Sequence, residues 1–315
     1  MMNMDATGSL VKINIEGKPL EKLIEVVSSG IGTLYRPRKI RKEADAQAYA
    51  IKVLENAKAT AGAETMMIEA DTAERIGQRM LSQELRRQNN IDTVVEAAAA
   101  ELKGEQVSDE PVDEDWATRF FGIVQDVSRE EMKVLWSKIL AKEIERPSSF
   151  SMRTLETLRN LSAKEAELFQ KIAPYILHQQ DYFIFNDSDV LKKHDIQYND
   201  IAKLIECGIL QSGTMVSKHY YAKTDEDSIS GIINGEYVFI MNLPRGSKDV
   251  IIPVYILTMT GIELFSLIEP KVNLEYIKDL SHYIRKTNPN VIMQCAEIIS
   301  VDDENIRYKK PAMDL

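Results

Sequence analysis

Cysteine is scarce in this chain. Cys207 and Cys295 are the only two in 315 residues. That excludes a disulfide scaffold and a thiolate metal site, and two isolated thiols fit a reducing compartment. Cys207 lies in the apolar run Ile205-Glu206-Cys207-Gly208-Ile209 and reads, like Cys295, as a small buried hydrophobe. Histidine is thin too: His178, His194, His219 and His282 show no metal-ligand spacing. Long apolar runs are missing, since no window approaches the ~18 residues of a membrane-spanning helix. Residues 1–20 carry no leader pattern. These lacks predict a cytoplasmic protein without cofactor or metal.

Positive charge is outweighed, with 39 Lys and Arg against 49 Asp and Glu and a net charge of −10. Such a surface does not attract phosphate backbones as a whole, so nucleic-acid binding would need a local basic patch. Catalytic signatures are equally short. Gly30-x-Gly32 lacks the third glycine of a phosphate loop, and no Gly-x-Ser-x-Gly elbow occurs. Asp181, Asp187 and Asp189 form a loose acidic set without the Glu-x-Lys partner of a two-metal nuclease, and read as a solvated loop. No catalytic residue is assigned, and an enzyme built on an unfamiliar site ranks last among the readings.

What is present favours helix. The apolar fraction of 44% suffices for real cores, and aromatics contribute only 7%. Residues 1–38 read as a polar arm and a short amphipathic helix with Leu20, Leu23, Ile24 and Val27 at helical spacing. Residues 39–103 form the longest uniform stretch, rich in Ala, Glu, Arg and Gln and free of proline, and predict one or two long helices. Their thin, Ala-rich stripe buries little alone and calls for a partner, either another copy or the chain's own C-terminal half. An acidic linker spans 104–115.

Residues 116–180 predict a bundle of short capped helices, with capping boxes Ser128/Glu131 and Ser162/Glu165 and a stop at Pro147. Trp116, Phe120 and Trp136 stand as core or interface anchors, and Arg153 and Glu156, one turn apart, as an ion pair or a buried orienting pair. Residues 181–301 mix strands and helices: a strand at 182–185, a helix closed by Gly208, an Asn234-Gly235 hairpin and the segment Leu257-Thr258-Met259-Thr260-Gly261. That order predicts a winged-helix-like α+β domain, and 302–315 reads as a polar tail. The expected fold is therefore mainly α with a smaller α+β part: a long N-terminal helix, a central short-helix bundle and a C-terminal winged-helix-like domain.

One basic cluster stands out: Arg36, Arg38, Lys39, Arg41 and Lys42. Its readings are a solvated helix start, contact with an anionic membrane surface together with the preceding amphipathic helix, and nucleic acid.

The block Leu135-Trp136-Ser137-Lys138-Ile139-Leu140-Ala141-Lys142-Glu143-Ile144, then Pro147, then Phe150-Ser151-Met152-Arg153-Thr154-Leu155, resembles a bacterial and prophage family catalogued as a domain of unknown function. The chain is also distantly similar to abortive-infection alpha proteins. The resemblance spans roughly residues 20–270 and implies a bacterial, mobile-element or phage-defence setting, with no catalytic residue to carry over. The expectation is a homo-oligomeric interaction protein whose 39–103 helix assembles copies and whose C-terminal part meets an unidentified protein partner. The alternatives are a winged-helix DNA-binding regulator and a peripheral membrane effector acting through residues 20–42 at the inner membrane face.

Overall fold

A computed structural model describes residues 16–35, 70–213, 216–302 and 305–315. It is a mixed α/β chain that divides into two compact units, Met1–Leu155 and Glu156–Leu315. The acidic stretch 104–115 lies inside the first unit.

The described residues of the first unit form helices: α1 Lys18–Ile31, α2 Ala70–Glu101, α3 Glu114–Val124 and α4 Glu130–Glu145. Helix α1 starts with proline in its first turn and stops at Gly32, whose φ of 70° suits the left-handed exit only glycine takes freely. Its apolar stripe, Leu23, Val26 and Val27, is buried, and α1 packs on α3. Gly30 makes that approach possible, because a Cβ there would lie 2.7 Å from the Ala117 carbonyl oxygen and overlap the Phe121 ring. The stripe available for a membrane surface in the sequence reading is thus covered within the unit.

Helix α2 buries Ile91, Val94, Val95, Ala98 and Ala99 and lies along α4. Helix α3 is capped by the Asp113 carboxylate, which accepts from the Trp116 N–H at 2.8 Å. The Ser128/Glu131 box is not formed. Helix α4 begins at Glu130 behind Arg129, with no side-chain cap, so Ser128 stands one residue outside the position a capping hydroxyl needs.

Helix α5, Met152–Asn160, carries the chain across the division. The second unit then runs α6 Ala163–Ile172, β1 Ile176–Gln179, β2 Asp181–Phe185, α7 Ser188–Lys193, α8 Tyr198–Glu206, β3 Val216–Tyr220, β4 Ser228–Asn234, β5 Tyr237–Leu243, β6 Val250–Ile256, α9 Met259–Phe265, α10 Leu274–Thr287, β7 Ile292–Val301, β8 Ile306–Tyr308 and β9 Met313–Asp314. The Ser162/Glu165 capping box opens α6 as its sequence predicts. Ile176, which continues the helical spacing of Phe169 and Ile172 in the sequence, instead begins a strand, because a short 3-10 turn at 173–175 containing Pro174 ends the helix.

The strands make one antiparallel sheet in the order β3-β6-β2-β1-β4-β5-β7-β8, with β9 also on β7. Tyr276, Ile277, Leu280 and Ile284 of α10 close a core over one face, against Phe183, Phe185, Phe239, Met241, Ile252 and Val254. Phe265 of α9 meets Tyr182 edge-on, ring centroids 5.7 Å apart. The β4–β5 hairpin forms, but its two loop residues are Gly235 and Glu236. Asn234 stays in the strand, where its buried amide donates to the Pro174 and Ile176 carbonyls, each at 3.0 Å. The predicted polar tail is partly regular: β8 and β9 pair with β7, and Ile306 and Tyr308 pack on Val238, Ile240 and Ala296.

Candidate interaction surface

The local order β2, α7, α8, β3, β6 shapes one end of the second unit, with β6 hydrogen-bonded between β2 and β3. Asp187, read from sequence as part of a solvated acidic loop, caps α7, its carboxylate accepting from the N–H groups of Asp189 and Val190 at 3.1 and 3.0 Å. Asp181 of that same set binds Lys218 at 3.0 Å.

A polar clamp holds α7. Lys193 Nζ donates to Asp279 of α10 at 2.7 Å, and His194 donates through Nε2 to the same carboxylate at 2.8 Å. The imidazole is nearly buried and flanked by Tyr175 and Tyr276, with ring centroids 5.3 and 5.6 Å away. The Tyr276 hydroxyl accepts from the Phe185 N–H at 2.8 Å, and full burial pushes its ionisation far up. Partial burial acts to raise the Asp279 carboxyl, but the hydrogen bonds from Lys193 and His194 outweigh it and hold the group below the usual carboxylate range.

A depressed folded-state value adds stability that is complete above the unfolded value, about pH 4, and lost as pH falls through the lowered one. Asp279→Asn is therefore expected to lower stability at neutral pH and to flatten the acid limb below about pH 4. Urea midpoints measured against pH check this, and identical acid limbs in variant and parent would remove the assignment.

Both thiols are quiet. Burial, reinforced by a hydrogen bond to Glu165 and its charge, pushes Cys207 up to about 11, and burial also raises Cys295. Neither is a thiolate nucleophile at neutral pH. Among the described residues no three His, Cys, Asp or Glu side chains group to hold a metal ion, and no helix is long and apolar enough to cross a membrane.

The outward surface is aromatic and aliphatic. Helix α8 turns Ile201 and Leu204 inward and leaves Tyr198 79% exposed. On β6 the inward residues Val250, Ile252 and Val254 alternate with outward Ile251, Pro253 and Tyr255, so the outward side chains recur about every 7 Å. Burial pushes the Tyr255 hydroxyl up, Tyr198 stands close enough to add to this, and a hydrogen bond to the Asn186 side chain opposes it. His219 pairs with Ile251 across β3 and β6, and Tyr221 follows with its ring centroid 6.1 Å from that of His219. Ile251 is 51% and Tyr221 70% exposed. Lys218, between His219 and Ser217, points the other way: its Nζ donates to the Gln179 carbonyl at 2.8 Å and lies 5.2 Å from the Phe183 ring centre. The strip thus runs from Tyr198 over Tyr255 and Ile251 to Tyr221 without a lysine or arginine of its own.

The residues singled out from sequence fall elsewhere. Arg36, Arg38, Lys39, Arg41 and Lys42 lie outside the described residues. Trp116, Phe120 and Trp136 are buried in one aromatic cluster of the first unit: Trp116 stacks on Phe120 at 5.0 Å and Phe120 meets Trp136 edge-on at 5.5 Å. They anchor a core. Arg153 is exposed, and Glu156 forms an ion pair with Arg159 at 3.6 Å. Tyr198, Tyr221, Ile251 and Tyr255 were not predicted. The only signal is the run Val250-Ile251-Ile252-Pro253-Val254-Tyr255, which is apolar at every position and so does not reveal that one face is open.

No curated protein and no solved structure matches the chain. One family model does, the one described as Protein of unknown function (DUF2806), over residues 74–281. That match covers more than half of the chain, from the middle of the first unit through most of the second, and the chain belongs to this family.

Proposed function

We propose that this protein works by binding: copies associate through the first unit, and a protein partner docks on the strip of α8, β6 and β3. The observation that carries the docking site is the exposure of Tyr198, Tyr221 and Ile251, beside a strand β3 whose own Lys218 is turned inward. Exposed aromatic and aliphatic side chains are the residue types that anchor protein contacts. The pairing of β6 between β2 and β3, with α7 and α8 ahead of β3, supports a winged-helix-like reading of this unit. In that reading α8 takes the recognition position. Its exposed face offers Lys203 next to Glu206, one cation against one anion, whereas duplex binding draws on several cations at once. A protein partner therefore fits better than DNA.

Self-association is supported by the open first half of α2, where Met80 and Leu85 are about half exposed. The membrane alternative now rests on residues 36–42 alone, because the stripe of α1 is occupied by α3. The phage-defence setting enters this reading from the sequence resemblance only, and plating efficiency of phage on hosts with and without the chain tests it.

The docking site is tested with a photo-crosslinking phenylalanine at position 251 and, as control, at exposed position 278 on α10. A discrete protein adduct is expected at 251 and not at 278. A DNA gel shift at low salt that Lys203→Ala abolishes would overturn the protein reading in favour of the regulator.

A further inference from the structure

Helix α2 is about 48 Å long at 1.5 Å per residue, and its two halves differ. From Ile91 onward its apolar face is buried along α4. Met80 precedes Ile91 by 11 residues and Ala98 by 18, close to whole numbers of turns, so it continues the same face. Yet Met80 is 48% exposed, and Leu85 is 52% exposed. The opposite side of this half carries Arg75, Arg79 and Arg86, all exposed and within about 40° of one another around the axis at 100° per residue.

Between residues 75 and 88 four arginines stand against the single Glu84. This is a cationic patch on a chain of net charge −10. Arg87 is tied to Asp126 at 2.9 Å; Arg79 and Arg86 project from the surface.

The complementary charge lies at the far end of the same helix. Residues 101–115 hold seven acids and one lysine, and Glu101, Glu105, Asp109, Glu110, Glu114 and Asp115 are exposed. The crowding is felt by a neighbour: burial first, and the charges of Glu105 and Glu101 after it, raise the Glu145 carboxyl above its usual range. Within one copy the two patches cannot meet, since about 22 Å of helix separates Arg86 from Glu101. Two arginine stripes facing each other across a two-fold axis would repel.

We infer that the arginine stripe of α2 is the docking face for the acidic 101–115 segment of a second copy, so that copies join head to tail. This rests on the self-association reading and specifies its contact. Two different patches are used, so a pair of copies still leaves one arginine stripe and one acidic segment open, and chains grow until a ring closes. The contact is screened by salt.

Native mass against salt tests it on the full chain. Assemblies are expected at about 50 mM salt and monomers at about 500 mM, where the screening length falls from roughly 14 to 4 Å. Arg79→Glu with Arg86→Glu turns the arginine patch weakly acidic, and Glu105→Lys with Glu110→Lys cuts the net charge of residues 101–115 from −6 to −2. Each double variant alone is expected to be monomeric, its self-affinity down ~10²-fold or more, while an equal mixture reassembles at low salt. Circular dichroism confirms that each variant keeps its helices; if one does not, Arg79→Gln with Arg86→Gln replaces it and is expected to lose assembly too. Wild-type assemblies that persist in the arginine variant would overturn this contact and leave self-association standing. A wild-type chain that is monomeric at every salt overturns both, and one that is monomeric yet sediments with phosphatidylserine vesicles assigns the stripe to an anionic surface instead.

Discussion

Gly261→Ala is expected to destabilise the second unit by about 3 kcal/mol or more, the range of substitutions that force backbone apart in a packed site. Gly261 is buried in the first turn of α9, and a Cβ there would overlap the carbonyl oxygen of Ile209. A carbonyl in the backbone cannot turn aside as a flexible side chain does. The helix cannot retreat either. Thr258 caps it, its Oγ1 accepting from the Gly261 N–H at 3.0 Å and donating to the Gly208 carbonyl at 2.6 Å, and the Thr258 N–H donates to the Ile209 carbonyl at 2.9 Å. The threonine–glycine segment, legible in the sequence as a motif, is thus a joint between the end of α8 and the start of α9. Urea unfolding followed by circular dichroism reads the loss, and hydrogen exchange locates it in 198–265. A midpoint within ~0.5 kcal/mol of the parent would show that the joint gives way.

Glu143→Ala is expected to cost about 3 kcal/mol in the first unit. The Glu143 carboxylate is buried at 1% exposure and accepts the N–H groups of Ser148 at 2.7 Å and Phe150 at 3.0 Å. It thereby fixes the turn after α4, in which Ser148 sits at a φ of 68°. Removing it strands two backbone donors, each worth roughly 1–3 kcal/mol when left buried and unmade. Glu143→Gln keeps one acceptor and aims an N–H at the other donor, so it should fall between parent and alanine. Trp116 supplies the readout, because its indole N–H donates to the Phe150 carbonyl at 2.8 Å. Its emission should move to longer wavelength as the turn loosens. An alanine variant with parental midpoint and emission would remove Glu143 from this role.

These two sites also measure how much was legible. The block from Trp136 to Leu155 stands out as a signature, and its members turn out to be a packing unit: Trp136 and Phe120 in the core, Glu143 and Phe150 in the turn, Trp116 hydrogen-bonded across to it. Sequence supplied the residues, whereas their joint task depends on contacts 34 residues apart that no local pattern encodes. Local signals with a geometric cause did well, the Ser128/Glu131 box excepted. Ser162 with Glu165 predicted a cap, Gly208 a helix end at φ 74°, and Asn234-Gly235 a hairpin. The misses share a cause as well. Ile176 kept helical spacing into a segment that Pro174 had already diverted, and β3, β8 and β9 are short edge pieces whose residues alternate too briefly to be seen. The exposed strip was hidden because β6 is apolar on both faces and only the three-dimensional arrangement leaves one uncovered.

The place of β6 in the sheet sets a constraint on the order in which the second unit can be made. It enters between β2 and β3, although the β4–β5 hairpin comes before it in the chain and joins the sheet on the other side of β1. Residues 183 and 256 must find each other across a separation of 73 positions, and the Thr258–Gly208 link, nested almost wholly within that loop, spans 50. Such distant pairings delay the transition state, because the entropy of closing long loops is spent before the contacts repay it. During synthesis β2, β3 and the hairpin therefore emerge with their central neighbour still missing, and the uncompleted edges of β2 and β3 are where a nascent chain would be exposed to wrong partners.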